Sequence, residues 1–77
     1  MATDEEIRQV VASTWPNGEP FTVTMVARAA GASVQQVTTA LASFDEGELL
    51  FQGKIEFRDA DGNLVGPAYA YRYFGHL

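Results

Sequence analysis

The chain has 77 residues, is 47% hydrophobic, lacks cysteine and carries a formal charge of −5. That size suits one small domain, and the absence of thiols excludes a disulfide framework, a cysteine nucleophile and a cysteine-based zinc site. No apolar run approaches the ~18 residues of a membrane span and the acidic start is unlike a secretory signal, so a soluble cytoplasmic chain, whole or excised, is expected.

Thr3-Asp4-Glu5-Glu6 has the form of a capping box. In it the Thr3 hydroxyl accepts from the third helical amide and Glu6 reaches back to the Thr3 amide. Three carboxylates in the first turn also suit the positive end of the helix dipole. Ile7, Val10 and Val11 follow at helical spacing, which predicts a first helix over 4–14. Trp15-Pro16-Asn17-Gly18 stops it, because proline disfavours helix in the residue before it. Trp15 is read as a lid on the core, and Phe21 as a short edge strand that joins a later hairpin.

Thr22 caps a second helix over 23–30, with Val26, Ala27 and Ala30 inward and Met25 and Arg28 more outward. Gly31 ends it in the left-handed conformation that costs glycine least. Ser33-Val34-Gln35-Gln36 is a second capping box, and a third helix is predicted over 34–44. Val34, Val37, Leu41 and Phe44 are its expected buried stripe.

After Asp45-Glu46-Gly47 the apolar period changes from helical to alternating. Strands are predicted over about 49–58 and 64–74. A three-residue loop Ala60-Asp61-Gly62 with Gly62 left-handed pairs Asp59 with Asn63. Counting back sets Phe57 against Val65, Ile55 against Pro67, Gly53 against Tyr69 and Phe51 against Tyr71. All bulky apolar groups then share one face, and Tyr69, Tyr71 and Tyr73 complete a small core with Phe21, Phe51 and Phe57. Pro67, with no amide proton, belongs at an edge or beside a bulge.

The segment TVTMVARAAGASVQQVTTAL, Thr22 to Leu41, set between a first helix and a hairpin, resembles the winged helix-turn-helix domain of small bacterial and phage regulators. Ala27 is small where a third helix would cross, Gly31 turns, Ser33 caps, and Val37 and Leu41 pack back. The resemblance implies a single α+β domain of three helices and a hairpin wing. It implies a third helix that enters the major groove of duplex DNA and a wing that lies along the backbone or minor groove. Carried over by position, the base-reading residues are Gln35, Gln36, Thr39 and Ser43, with Ala42 beside them. Gln bonds adenine bidentately and Thr meets a thymine methyl or a polar base edge. The phosphate contacts fall to Arg28, Lys54, Arg58 and Arg72.

Charge distribution qualifies that expectation. Residues 1–50 hold seven acids against Arg8 and Arg28, while residues 51–77 hold three acids and three bases. Asp45, Glu46 and Glu48 follow the reading helix directly, where they would repel phosphate. The alternative is an acidic winged-helix module or phage-like inhibitor that meets a basic protein surface through Asp45, Glu46 and Glu48. Read as DNA-binding, so small and acidic a domain calls for a homodimer on two half-sites or a larger complex. Asp59, Asp61 and Asn63 lack the spacing of a calcium loop, and His76 has no ligand or nucleophile near it in sequence. No metal, cofactor or enzymatic activity is expected.

Overall fold

The computed structural model describes residues 3–45 and 47–75. Three helices, α1 (Asp4–Thr14), α2 (Val23–Ala30) and α3 (Val34–Ala42), precede an antiparallel hairpin of β1 (Leu49–Arg58) and β2 (Leu64–Tyr73). The result is a small α+β fold. Among the described residues no helix is long and apolar enough to cross a membrane.

Each helix starts where its capping residue places it. The hydroxyls of Thr3, Thr22 and Ser33 accept from the amides of Glu6, Met25 and Gln36 at 3.2, 3.2 and 3.1 Å. Each such cap stabilises a helix by roughly 0.5–2 kcal/mol over alanine. In the first capping box the Thr3 hydroxyl also lies 3.3 Å from Glu6 Oε1, the carboxylate accepting its proton. Gly31, at φ 66°, ends α2 and donates its amide to Ala27 O.

Ile7 and Val11 of α1, Val26 and Ala27 of α2, and Val37, Ala40 and Leu41 of α3 meet in one core, joined by Trp15 and Phe21. Ile7, Val11, Phe21, Val26 and Val37 are fully buried, each contributing ~1.5–3 kcal/mol of transfer free energy. Trp15 stacks on Phe21 with ring centroids 4.9 Å apart, so it does cover the core. Phe21 exchanges two backbone hydrogen bonds with Tyr71, of 3.0 and 2.8 Å, and is a one-residue third strand beside β2.

Helix α3 differs from expectation at both ends. Val34 is 52% exposed, because the stripe starts only at Val37, where α1 and α2 offer apolar partners. At the other end the chain tightens: Ser43 and Phe44 donate to Ala40 O and Leu41 O, three residues back. The tightened turn aims Phe44 at Tyr73, edge to face at 5.9 Å, and under the Arg8 guanidinium at 4.3 Å.

The hairpin turn has the predicted loop. Gly62 sits at φ 82°, Asp59 N donates to Asn63 O, and Asp59 Oδ1 accepts from Asp61 N and Asn63 N. The predicted pairs Phe57↔Val65 and Phe51↔Tyr71 are present, but the register between them is not. Gly53 pairs with Ala70, and Ile55 with Ala68. An extra residue at Gln52 in β1 is offset by an extra residue at Gly66-Pro67 in β2, two bulges that cancel. Gly66 is required there, since a Cβ would lie 2.5 Å from Ile55 O.

The bulges decide which aromatic groups are inside. Ala70 turns into the core and is fully buried, whereas Tyr69 and Phe51 are 63% and 54% exposed. The expected six-ring core is therefore smaller: Tyr71 and Tyr73 pack on it, and Tyr69 and Phe51 stack on each other outside, 5.9 Å apart.

Candidate nucleic-acid interface

Helix α3 turns Val37, Ala40 and Leu41 inward, which fixes the opposite azimuth outward. Gln35, Thr39, Ala42 and Ser43 are exposed there and Gln36 is half-buried. Thr38, which sequence reasoning left out, is also exposed. It lies one residue from Val37 and shares the outward side with Thr39. The hydroxyls of Thr38 and Thr39 donate to Val34 O and Gln35 O at 2.9 and 3.1 Å, and that of Ser43 to Ala40 O at 2.6 Å. Their protons are committed to the helix, so toward a ligand these hydroxyls offer acceptor lone pairs and, for threonine, methyl groups. The face bears no charged side chain.

The acids after α3 are not all where the sequence suggests. Asp45 is exposed, and Glu46 lies outside the described residues. Glu48 is buried, with its carboxylate held by Arg8 Nη2 at 3.0 Å to each oxygen and by the Asp45 amide at 3.0 Å. Arg8 also reaches Ser43 O at 3.4 Å. One arginine of α1 thus ties the end of α3 to the start of the hairpin and neutralises an acid that had counted against DNA. Nothing in sequence spacing joins residues 8 and 48. The clue was an arginine one step from the inward-facing Ile7.

The cations are unequally available. Arg72 is half-buried, donating to Gln52 Oε1 at 2.9 Å and to Gly18 O at 2.8 Å, so it clamps the first bulge to the loop before Phe21. Arg58 is exposed and spends one Nη on Gly62 O at 2.9 Å, keeping its other donors outward. Arg28 is exposed beside a groove of about 610 Å³ between α2 and the hairpin tip, opposite Asp59 and Asp61. Lys54 is exposed on β1, two residues from Glu56. Among the described residues there is no cluster of three metal-ligating side chains, and His76 lies outside them.

No family model matches this chain, and neither a curated protein nor a solved structure shows significant similarity to it.

Proposed function

We propose that the chain is a winged helix-turn-helix protein, a small transcriptional regulator or accessory factor, that reads duplex DNA with α3 and uses the hairpin as a wing. The observation that carries this reading is the outward face of α3. It is uncharged and lined by Gln35, Thr38, Thr39 and Ser43, with Gln36 at its margin, while Glu48 is withdrawn from it into the grip of Arg8. Base edges are recognised by such neutral donors and acceptors, and phosphates by cations at the rim. In this reading Arg28 and Arg58 make the phosphate contacts, and Arg72 supports the hairpin instead.

The test is a titration of the folded protein against a pool of random duplexes at two salt concentrations, followed by selection of the preferred site. Binding that weakens with salt is expected, with Gln35→Ala plus Thr39→Ala flattening the sequence preference and Arg28→Glu weakening all sites alike. A folded protein that binds no duplex at low salt overturns the reading.

One observation favours a second reading, a module that binds protein. The stacked pair Phe51 and Tyr69 is exposed apolar surface of the kind protein interfaces use. The acidic rim plays less part in it than the sequence suggests, since Glu48 is buried. Loss of a purified partner on Phe51→Ser with DNA binding unchanged would assign that surface to protein.

A further inference from the structure

The hairpin is a two-stranded sheet with one edge covered. Phe21 pairs with the β2 side, whereas the outer edge of β1 makes no backbone hydrogen bond among the described residues. Such an edge is a row of unsatisfied amides and carbonyls ready to accept another strand. From Gly53 to Arg58, β1 itself has no inserted residue, and its side chains alternate: Gly53, Ile55 and Phe57 half-buried, Lys54, Glu56 and Arg58 exposed.

We infer that β1 pairs antiparallel with β1 of a second copy of this chain, about a two-fold axis at Ile55, to form a four-stranded sheet across a homodimer. The sequence of the edge is self-complementary in that register. On the outer face Lys54 lies opposite Glu56 of the second copy, and Glu56 opposite its Lys54. On the inner face Ile55 meets Ile55, and each Phe57 lies over the bare backbone of Gly53, an aromatic-over-glycine pairing that stabilises adjacent strands. Other centres fail. Centring on Lys54 or on Glu56 sets that charge against itself, and centring on Phe57 sets Ile55 against Asp59 and runs into the turn.

Charge over the whole molecule points the same way. Two chains of −5 repel, and residues 51–77, where acids and bases balance, are where they can approach. An isologous contact about a two-fold axis is the commonest route to a dimer. This inference stands apart from the DNA reading, and it assigns Lys54 to a carboxylate of the second copy rather than to phosphate.

The experiment is sedimentation equilibrium on the full chain without DNA, over micromolar to millimolar concentration. The wild type is expected at twice the 8.4 kDa chain mass at the upper end. Lys54→Glu and Glu56→Lys each turn both symmetric pairs from attraction to repulsion, and each is expected to weaken the dimer by about ten-fold or more. Mixed in equal amounts, those two variants restore opposite charges at every position and are expected to form a heterodimer. The double variant K54E/E56K is expected to self-associate like the wild type. Circular dichroism and urea unfolding of each variant verify the fold. A wild type that stays at the monomer mass throughout overturns the proposal, as does a dimer that neither reversal weakens or that mixing fails to restore.

Discussion

Arg8 shows how much one side chain can hold together in a chain this short. Its Nη2 donates to both oxygens of the Glu48 carboxylate, its Nη1 reaches Ser43 O, and the guanidinium lies over the Phe44 ring. Glu48 is 6% exposed at its side chain and Arg8 33%, so the pair is partly screened, but removing one partner leaves a carboxylate in a dry place. Arg8→Ala is expected to lower stability by about 2–3 kcal/mol, read from the urea midpoint. Arg8→Lys should recover only part of that loss, because one ammonium can reach the carboxylate but cannot also donate to Ser43 O and lie flat over the Phe44 ring. Sequence reasoning counted Arg8 only as a charge. Its partner lies forty residues away, and a contact of that separation has no local pattern to announce it.

At the scale of elements, the two bulges are the decisive feature of the hairpin. Alternation along a strand assigns faces correctly only while the pairing is uninterrupted, and one inserted residue turns every later side chain to the other face. Gln52 makes that change and Gly66-Pro67 reverses it, so the ends of the hairpin agree with simple counting while Tyr69 and Ala70 exchange roles. A pair of substitutions measures this. Ala70→Leu is expected to cost about 1–3 kcal/mol through overpacking of a fully buried site. Tyr69→Ser should cost under about 1 kcal/mol, because that ring keeps most of its surface in water and packs mainly on an equally exposed Phe51. The reverse order in chemical unfolding, a large loss at Tyr69 and little at Ala70, would mean that the register is the uninterrupted one. Pro67, Gly53 at φ 85° and Gly66 at φ 108° were the local hints, since each marks a break in a ladder.

For the whole molecule, the balance of charge decides what binding can look like. Five bases serve a chain with ten acids, and two of those bases, Arg8 and Arg72, are occupied with holding the fold. If Arg28 and Arg58 are the phosphate contacts, the logarithm of the DNA association constant should fall against the logarithm of salt with a slope of only about −2 per chain. Arg72→Ala should leave that slope unchanged while lowering the unfolding midpoint, whereas Arg28→Ala should do the reverse. A slope several times steeper would mean that further cations reach the backbone.

The helices were legible in the sequence because their causes are local. Thr3, Thr22 and Ser33 cap, Gly31 turns, and apolar residues recur at steps of three and four, each acting within one or two turns of chain. The Asp59–Asn63 turn followed from equally short-range chemistry, and the extended Glu19-Pro20-Phe21 stretch marked Phe21 as a strand residue without naming its partner Tyr71. The tertiary structure alone decided which of the candidate site residues stand together. It left the face of α3 open, buried Glu48 against Arg8, tied Arg72 to Gly18, and set Tyr69 outside and Ala70 inside. Those outcomes depend on partners distant in the chain and on bulges that cancel over the length of a hairpin, so periodicity, which reads neighbours a few residues apart, carries no trace of them.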